Sequence, residues 1–209
     1  LEKLSEMGMM GMYIPEEYGG AGLSYNTYTA ANEIINKYCA STGCMVEVHG
    51  SLVTWPLLTY GTEEQKQKYL PRMASGEMLG AFGLTEPGAG SDSSGQKTTA
   101  VDKGDYYLLN GTKQFITNGY YAGLYLVFAM TDKEQGNKGI SCFLVEKGWE
   151  GFSFGTKEKK MGIHGTSTYE LVFEDVKVPK ENLLGKEGEG FKIAMTTLDG
   201  GRISIAAQG

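Results

Sequence analysis

The spacing of apolar residues along the chain changes near residue 79 and again near residue 186. Before residue 79 the apolar positions recur every three or four residues, the period of amphipathic helices. Leu1, Leu4, Met7 and Met9 predict a short helix, and Tyr13-Ile14-Pro15 with Gly19-Gly20-Ala21-Gly22 predicts a loop. Ser24 is in place to cap a helix reaching about Cys39, with Tyr28, Ala31, Ile35 and Tyr38 on one face. A second apolar stretch runs over 46–60. Thr62-Glu63-Glu64-Gln65 then has the form of a capping box, opening a helix that carries Tyr69, Leu70 and Met73. Pro71 is expected to bend or shorten that helix.

From Met78 to about Leu184 the period becomes two, with turn residues between the runs. The strongest local signal is a hairpin: 106–109, the turn Asn110-Gly111, then 112–117. Further strands are predicted at 124–130, 140–146, 152–154 and 169–173. Beyond Lys186 the helical spacing returns with Phe191, Ala194, Met195 and Leu198, continuing through 203–207. The fold class is therefore α+β with segregated parts. The expected divisions are helices over 1–78, antiparallel strands over 79–185 and a new helical region over 186–209. Both ends lie inside helical patterns, so a longer natural polypeptide is expected.

Composition narrows the chemistry. Thirty-one glycines in 209 residues are about 15%, twice the usual share, with no collagen period. They must serve turns and close backbone approaches. A net charge of −6 argues against a protein that coats nucleic acid, and no apolar run approaches a membrane span. Cys39, Cys44 and Cys142 form no C-x-x-C pair and read as reduced packing residues. His49 and His164 are far apart and lack clustered carboxylates, which weighs against a metal site. There is no G-x-S-x-G elbow. The run from Gly185 to Gly190 lacks both the spacing and the βαβ setting of a dinucleotide fingerprint.

Four segments could carry chemistry. Gly83-Leu84-Thr85-Glu86-Pro87-Gly88-Ala89-Gly90-Ser91-Asp92 reads either as a surface loop or as a nest of N–H groups for an anion such as a pyrophosphate. Within 113–119, Phe115 and Thr117 stand two apart on a strand and share a face. Such a face is either packing or a stacking-plus-hydroxyl surface for a planar heterocycle. The basic run through Lys157, Glu158, Lys159 and Lys160 reads as a solvated hairpin tip. In 197–202, Gly200 and Gly201 sit inside a helix at a cost of about 1 kcal/mol each, so something must approach that backbone closely.

Together these segments resemble the acyl-CoA dehydrogenase family over essentially the whole chain. The matching stretches are LTEPGAGSD at 84–92, FITNG at 115–119, KMGIHGTST at 160–168, FEDVKVP at 173–179 and LLGKEGEGFKIAMTTLDGGR at 183–202. The short-chain, butyryl-CoA-like branch looks nearest. The resemblance implies an N-terminal helical domain, a middle β-barrel domain and the first helix of a C-terminal helical bundle. It implies FAD, an acyl-CoA substrate oxidised to the trans-2-enoyl-CoA, and electron transfer to an electron-transferring flavoprotein. It also implies a homotetramer in a mitochondrial matrix or bacterial cytoplasm.

Residue by residue, the resemblance places Phe82, Leu84, Thr85, Gly90, Ser91, Phe115, Ile116 and Thr117 at the cofactor. Ser91 also touches substrate, and Asp199, Gly200, Gly201 and Arg202 meet the CoA moiety. Phe115 stands where the family usually stacks Trp, keeping the stacking surface but losing the indole N–H. Thr117 matches a hydroxyl that bonds flavin N5, and Glu158 an acid used in docking the electron-transferring flavoprotein. One branch carries its catalytic base where this chain has Gly201. In the others the base is a Glu well downstream, so none is expected before Gly209. Two rival readings share the signatures: an acyl-CoA oxidase using O₂, and a non-catalytic flavin- or CoA-binding subunit.

Overall fold

The computed structural model describes residues 1–209. A helical layer comes first: α1 (Glu2–Glu6), α2 (Tyr25–Tyr38), α3 (Ala40–Glu47), a π-helical stretch (Val48–Thr54), α4 (Trp55–Tyr60) and α5 (Glu63–Ala74). Ser24 caps α2 by accepting from the Thr27 N–H, and the Thr62–Gln65 capping box opens α5 with both reciprocal bonds present. Pro71 lies inside α5 without ending it. Only one backbone donor is lost there, and Tyr69, Leu70 and Met73 around it are fully buried. The buried stripe of α2 is Tyr28, Asn32 and Asn36. Tyr38, expected on that face, is 82% exposed. Gly43 of α3 packs directly against the Asn36 side chain, so close helix approach rather than apolarity selects the inward face.

The strands are β1 (Gly80–Gly83), β2 (Thr99–Asp102), β3 (Tyr106–Thr117), β4 (Leu124–Met130), β5 (Ile140–Glu146), β6 (Phe152–Lys157), β7 (Thr168–Pro179) and β8 (Leu183–Leu184). The chain ends in α6 (Gly190–Ala206). The sheet runs β6-β7-β3-β2-β4-β5-β8, with β1 beside β4. This corrects the expected antiparallel barrel in two ways. The pairing path has two ends and does not close, and β4 pairs in parallel with β1 and, through Thr99 and Met130, with β2.

The expected hairpin at Asn110-Gly111 is absent, and β3 runs straight through it. The register against β7 slips between Leu109 and Gly111, so the dipeptide forms a bulge. The Asn110 side chain bonds both the carboxylate and the backbone N–H of Asp175 across that bulge. Gly111 has φ 146°, and a Cβ there would lie 2.4 Å from the Thr98 hydroxyl oxygen. Asn-Gly serves a bulge for the reason it serves a turn: positive φ is available without a steric penalty.

β4 is buried on both faces. Leu124, Leu126 and Phe128 join the helices, with Leu57, Leu70, Met73, Ile193 and Ala194, in one core. Tyr125, Val127 and Ala129 face a second core with Leu109, Leu171, Phe173 and Val176. Late residues close the helical layer. Gln65 donates to the carbonyls of Glu181 and Leu183, Asn182 donates to the Tyr69 hydroxyl, and Tyr25 donates to the Gly200 carbonyl. The three cysteines are free, as expected, but only Cys142 is a buried packing residue, while Cys39 is exposed. No helix is long and apolar enough to cross a membrane.

Candidate functional site

Beyond β1 the chain leaves the sheet and doubles back on itself. The Glu86 N–H bonds the Ala89 carbonyl at 3.0 Å, and the Ala89 N–H returns the bond at 3.1 Å. Asp92 caps the short 3₁₀ turn Ser93–Gly95 through the Ser94 N–H. The resulting loop and α6 enclose a cavity of about 290 Å³. It is lined by Phe82, Leu84, Thr85, Gly90, Ser91 and Ser93 on one side and by Met195, Leu198 and Arg202 on the other. The backbone N–H groups of Leu84, Thr85, Gly90 and Ser91 donate to no backbone partner within the chain. A Cβ on Gly88 or Gly90 would meet nothing within 4 Å. The space beside the loop is therefore open, and unpaired donors line it. That fits the electron-rich oxygens of an anionic or heterocyclic cofactor.

The second segment is tied to the first. The Gln114 N–H bonds the Thr85 carbonyl at 2.8 Å, and the Lys113 ammonium bonds the Leu84 carbonyl at 3.2 Å. A second register slip lies between Lys113 and Ile116, and Phe115 and Thr117 flank the buried Ile116. Phe115 sits at φ 60° and is 58% exposed, whereas Ile116 turns into the sheet core. An aromatic ring held outward by a left-handed backbone stores strain of order 1–3 kcal/mol, a cost associated with functional positions. Ile116 can reach a ligand only through its backbone. None of Phe115, Ile116 or Thr117 lines the cavity itself.

The fourth segment divides. Gly201 is buried, and a Cβ there would lie 2.7 Å from the Leu52 side chain. The Gly200 carbonyl is taken by Tyr25, whose hydroxyl also bonds Ser204 at 2.6 Å. The close approach inferred from these glycines is thus made by the chain's own π-helical stretch and α2. Asp199 and Arg202 remain in solvent, paired at 2.6 Å. Glu158, expected on an exposed tip, is half-buried at the end of β6, its N–H bonded to the Thr168 carbonyl.

Four titratable groups are buried in ways the sequence does not announce. Lys113 and Glu86 form a buried ion pair at 2.8 Å. Glu47 is 2% exposed, and its carboxyl bonds only Ser51, at 2.7 Å. Burial raises its pKa to about 7. Burial also lowers His49 to about 4, fixing a neutral ring that accepts from the Gly80 N–H and meets the Met10 carbonyl. The partners of Lys113, Glu86 and His49 lie on other elements, whereas Ser51 is only four residues from Glu47.

Residues 1–77 match the profile of the acyl-CoA dehydrogenase N-terminal domain, and residues 81–176 that of the acyl-CoA dehydrogenase middle domain. The chain is 55% identical over 208 residues to the short-chain-specific acyl-CoA dehydrogenase of Clostridium acetobutylicum, covering 100% of this chain and 55% of that protein. The solved butyryl-CoA dehydrogenase of Megasphaera elsdenii superposes with a TM-score of 0.97 at 53% identity, over 99% of this chain and 55% of that one. A chain from a structure described as electron transferring flavoprotein of Acidaminococcus fermentans gives 0.97 at 60% identity, over 99% and 55%. The chain thus spans about half the length of the relatives it matches. Two domain profiles that together cover most of the chain, and relatives that match it end to end, make it a member of the acyl-CoA dehydrogenase family.

Proposed function

We propose that this chain forms the flavin-binding half of a short-chain acyl-CoA dehydrogenase, an FAD enzyme that converts an acyl-CoA to its trans-2-enoyl-CoA. The observation that carries the reading is the cavity beside β1, where four backbone donors have no backbone partner and Gly90 leaves room. When bound, FAD supplies the acceptor for the β-hydrogen. The chain's own residues hold and orient. The N–H groups of Leu84, Thr85, Gly90 and Ser91 offer hydrogen bonds to cofactor oxygens, Phe115 offers a ring face, and Thr117 a hydroxyl. Arg202 and Asp199 stand exposed at the α6 edge, available to a CoA moiety.

No carboxylate nearest these segments is free to remove the α-proton. Glu86 is held by Lys113 and by the N–H groups of Lys97 and Thr98, Asp92 caps a turn, and Asp199 is paired with Arg202. The family resemblance assigns the base to a Glu beyond Gly209. The electron-transferring flavoprotein is the proposed acceptor, a homotetramer the proposed assembly, and the mitochondrial matrix or a bacterial cytoplasm the proposed setting.

Anaerobic butyryl-CoA should bleach the flavin absorbance of the whole protein. Protein that carries FAD but never bleaches would support the non-catalytic reading instead. Fast reoxidation in air would favour an oxidase. Two substitutions test the assignments. Thr117→Val removes a hydrogen bond worth about 0.5–1.5 kcal/mol and should slow flavin reduction roughly 2- to 13-fold with substrate affinity unchanged. An unchanged single-turnover rate takes Thr117 out of the site. Glu158→Gln should leave reduction by substrate intact and slow electron transfer to the partner flavoprotein, more so at low salt. Slower reduction by substrate would instead move Glu158 into the active site.

A further inference from the structure

Lys113 is a lysine with no exposed surface, in the middle of a strand. All three of its ammonium protons are used: on the Glu86 carboxylate at 2.8 Å, on the Gln96 side-chain oxygen at 3.1 Å and on the Leu84 carbonyl at 3.2 Å. Glu86 is equally committed, accepting the backbone N–H groups of Lys97 and Thr98. A buried ion pair seldom stabilises a fold more than an apolar pair of the same volume. Stability alone therefore does not account for this one.

The geometry of the loop does. Consecutive residues of β3 hold consecutive carbonyls of the cofactor loop: Lys113 holds Leu84, and Gln114 holds Thr85. In a trans peptide the C=O of one residue and the N–H of the next point in opposite directions. Fixing the Leu84 carbonyl on Lys113 turns the Thr85 N–H away from β3. Fixing the Thr85 carbonyl on Gln114 turns away the Glu86 N–H, which meets Ala89 and closes the turn that presents Gly90 and Ser91. The bulge after Lys113 permits this, since it lets Lys113 and Ile116 both point inward while Phe115 points out.

Resting on the flavin reading above, we propose that Lys113 is a positioning residue that sets the direction of the Thr85 N–H for FAD and, through its pair with Glu86, anchors the turn leading to Gly90 and Ser91. It acts on cofactor binding through the loop and does not itself line the cavity.

The test compares FAD affinity with melting temperature in the whole protein, stripped of flavin and titrated with FAD well below the melting point. Lys113→Met should weaken FAD binding on the order of tenfold or more, and Gln96→Leu, which removes one acceptor, by a smaller factor. Val178→Ala is the control. It trims a buried side chain opposite Tyr107, at the other end of β3, and should lower the melting temperature at wild-type affinity. Wild-type affinity in Lys113→Met, or an equal loss in Val178→Ala, overturns the proposal. If Lys113→Met does not fold, Gln96→Leu decides alone, and wild-type affinity there has the same force. Wild-type protein that binds no FAD is a different outcome, for it removes the flavin reading and this inference with it.

Discussion

Replacing Glu47 with glutamine should stabilise the protein at pH 8 while changing little at pH 5. The carboxyl lies at the junction of α3 and the π-helical stretch, bonded to Ser51 alone, and takes part in none of the chain's ion pairs. The groups that sense its charge are the phenols of Tyr25 and Tyr28 and the thiol of Cys44, none of them a cation. Its folded pKa of about 7 stands above the ordinary 4.5, so between those values the folded protein holds a proton that the unfolded chain has lost. The stability linked to that proton is complete below pH 4.5 and is lost as the pH rises through 7, about 3 kcal/mol in all. Urea unfolding of the whole protein at pH 5, 6, 7 and 8 should show the Glu47→Gln advantage growing across that range. His49 titrates in the opposite sense in both proteins and cancels in the difference. Parallel profiles would mean that Glu47 is charged and solvated in the folded state. The same variant should bleach with butyryl-CoA at nearly the wild-type rate. A loss of several orders of magnitude would make Glu47 the base.

Gly90→Val should separate binding from folding. Gly90 carries no positive φ, and a Cβ there meets nothing within 4 Å, so the substitution leaves the folded chain unstrained. The added methyl groups stand beside the cavity, where the Gly90 and Ser91 N–H groups are unpaired. Affinity for FAD should fall roughly 100-fold, about 2.7 kcal/mol, with the melting temperature of the flavin-free protein within a degree or two of wild type. Tight FAD binding by this variant would show that the cofactor does not use the cavity beside β1.

Which elements could be read from the sequence follows from how local their causes are. β4 and β5 have their observed bounds because each is an apolar run ended by glycine or polar residues, and α5 begins where its capping box says. The Asn110-Gly111 signal was read as a turn because a bulge asks for the same residues. Only the partner strand, β7, tells the two apart. A bulge between Lys113 and Ile116 likewise resets the period of two, and nothing in 113–117 announces it. In the site, the glycine-rich loop was legible as motif residues, whereas the cavity it forms with α6 was not. Lys113, Glu47 and His49 were not, since a buried charge is defined by what surrounds it after folding. The pair Gly200-Gly201 marks a close approach, and its partners in the fold, Leu52 and Tyr25, lie far away in sequence.

That last contact bears on how the protein is made. The Tyr25 hydroxyl that anchors α6 waits for a residue 175 positions later. Gln65 and Tyr69 wait for carbonyl and amide groups more than 110 positions on. At a synthesis rate of about 5–20 residues per second, roughly 9–35 s pass between the emergence of Tyr25 and that of Gly200. During that interval Leu57, Leu70 and Met73 have been translated, yet the strands and helix that bury them are still incomplete. A nascent chain in this state presents an amphipathic helical surface to the cell. Yield in a heterologous host should therefore depend on trigger-type holding chaperones and on slower growth temperature more than on the equilibrium stability of the finished fold.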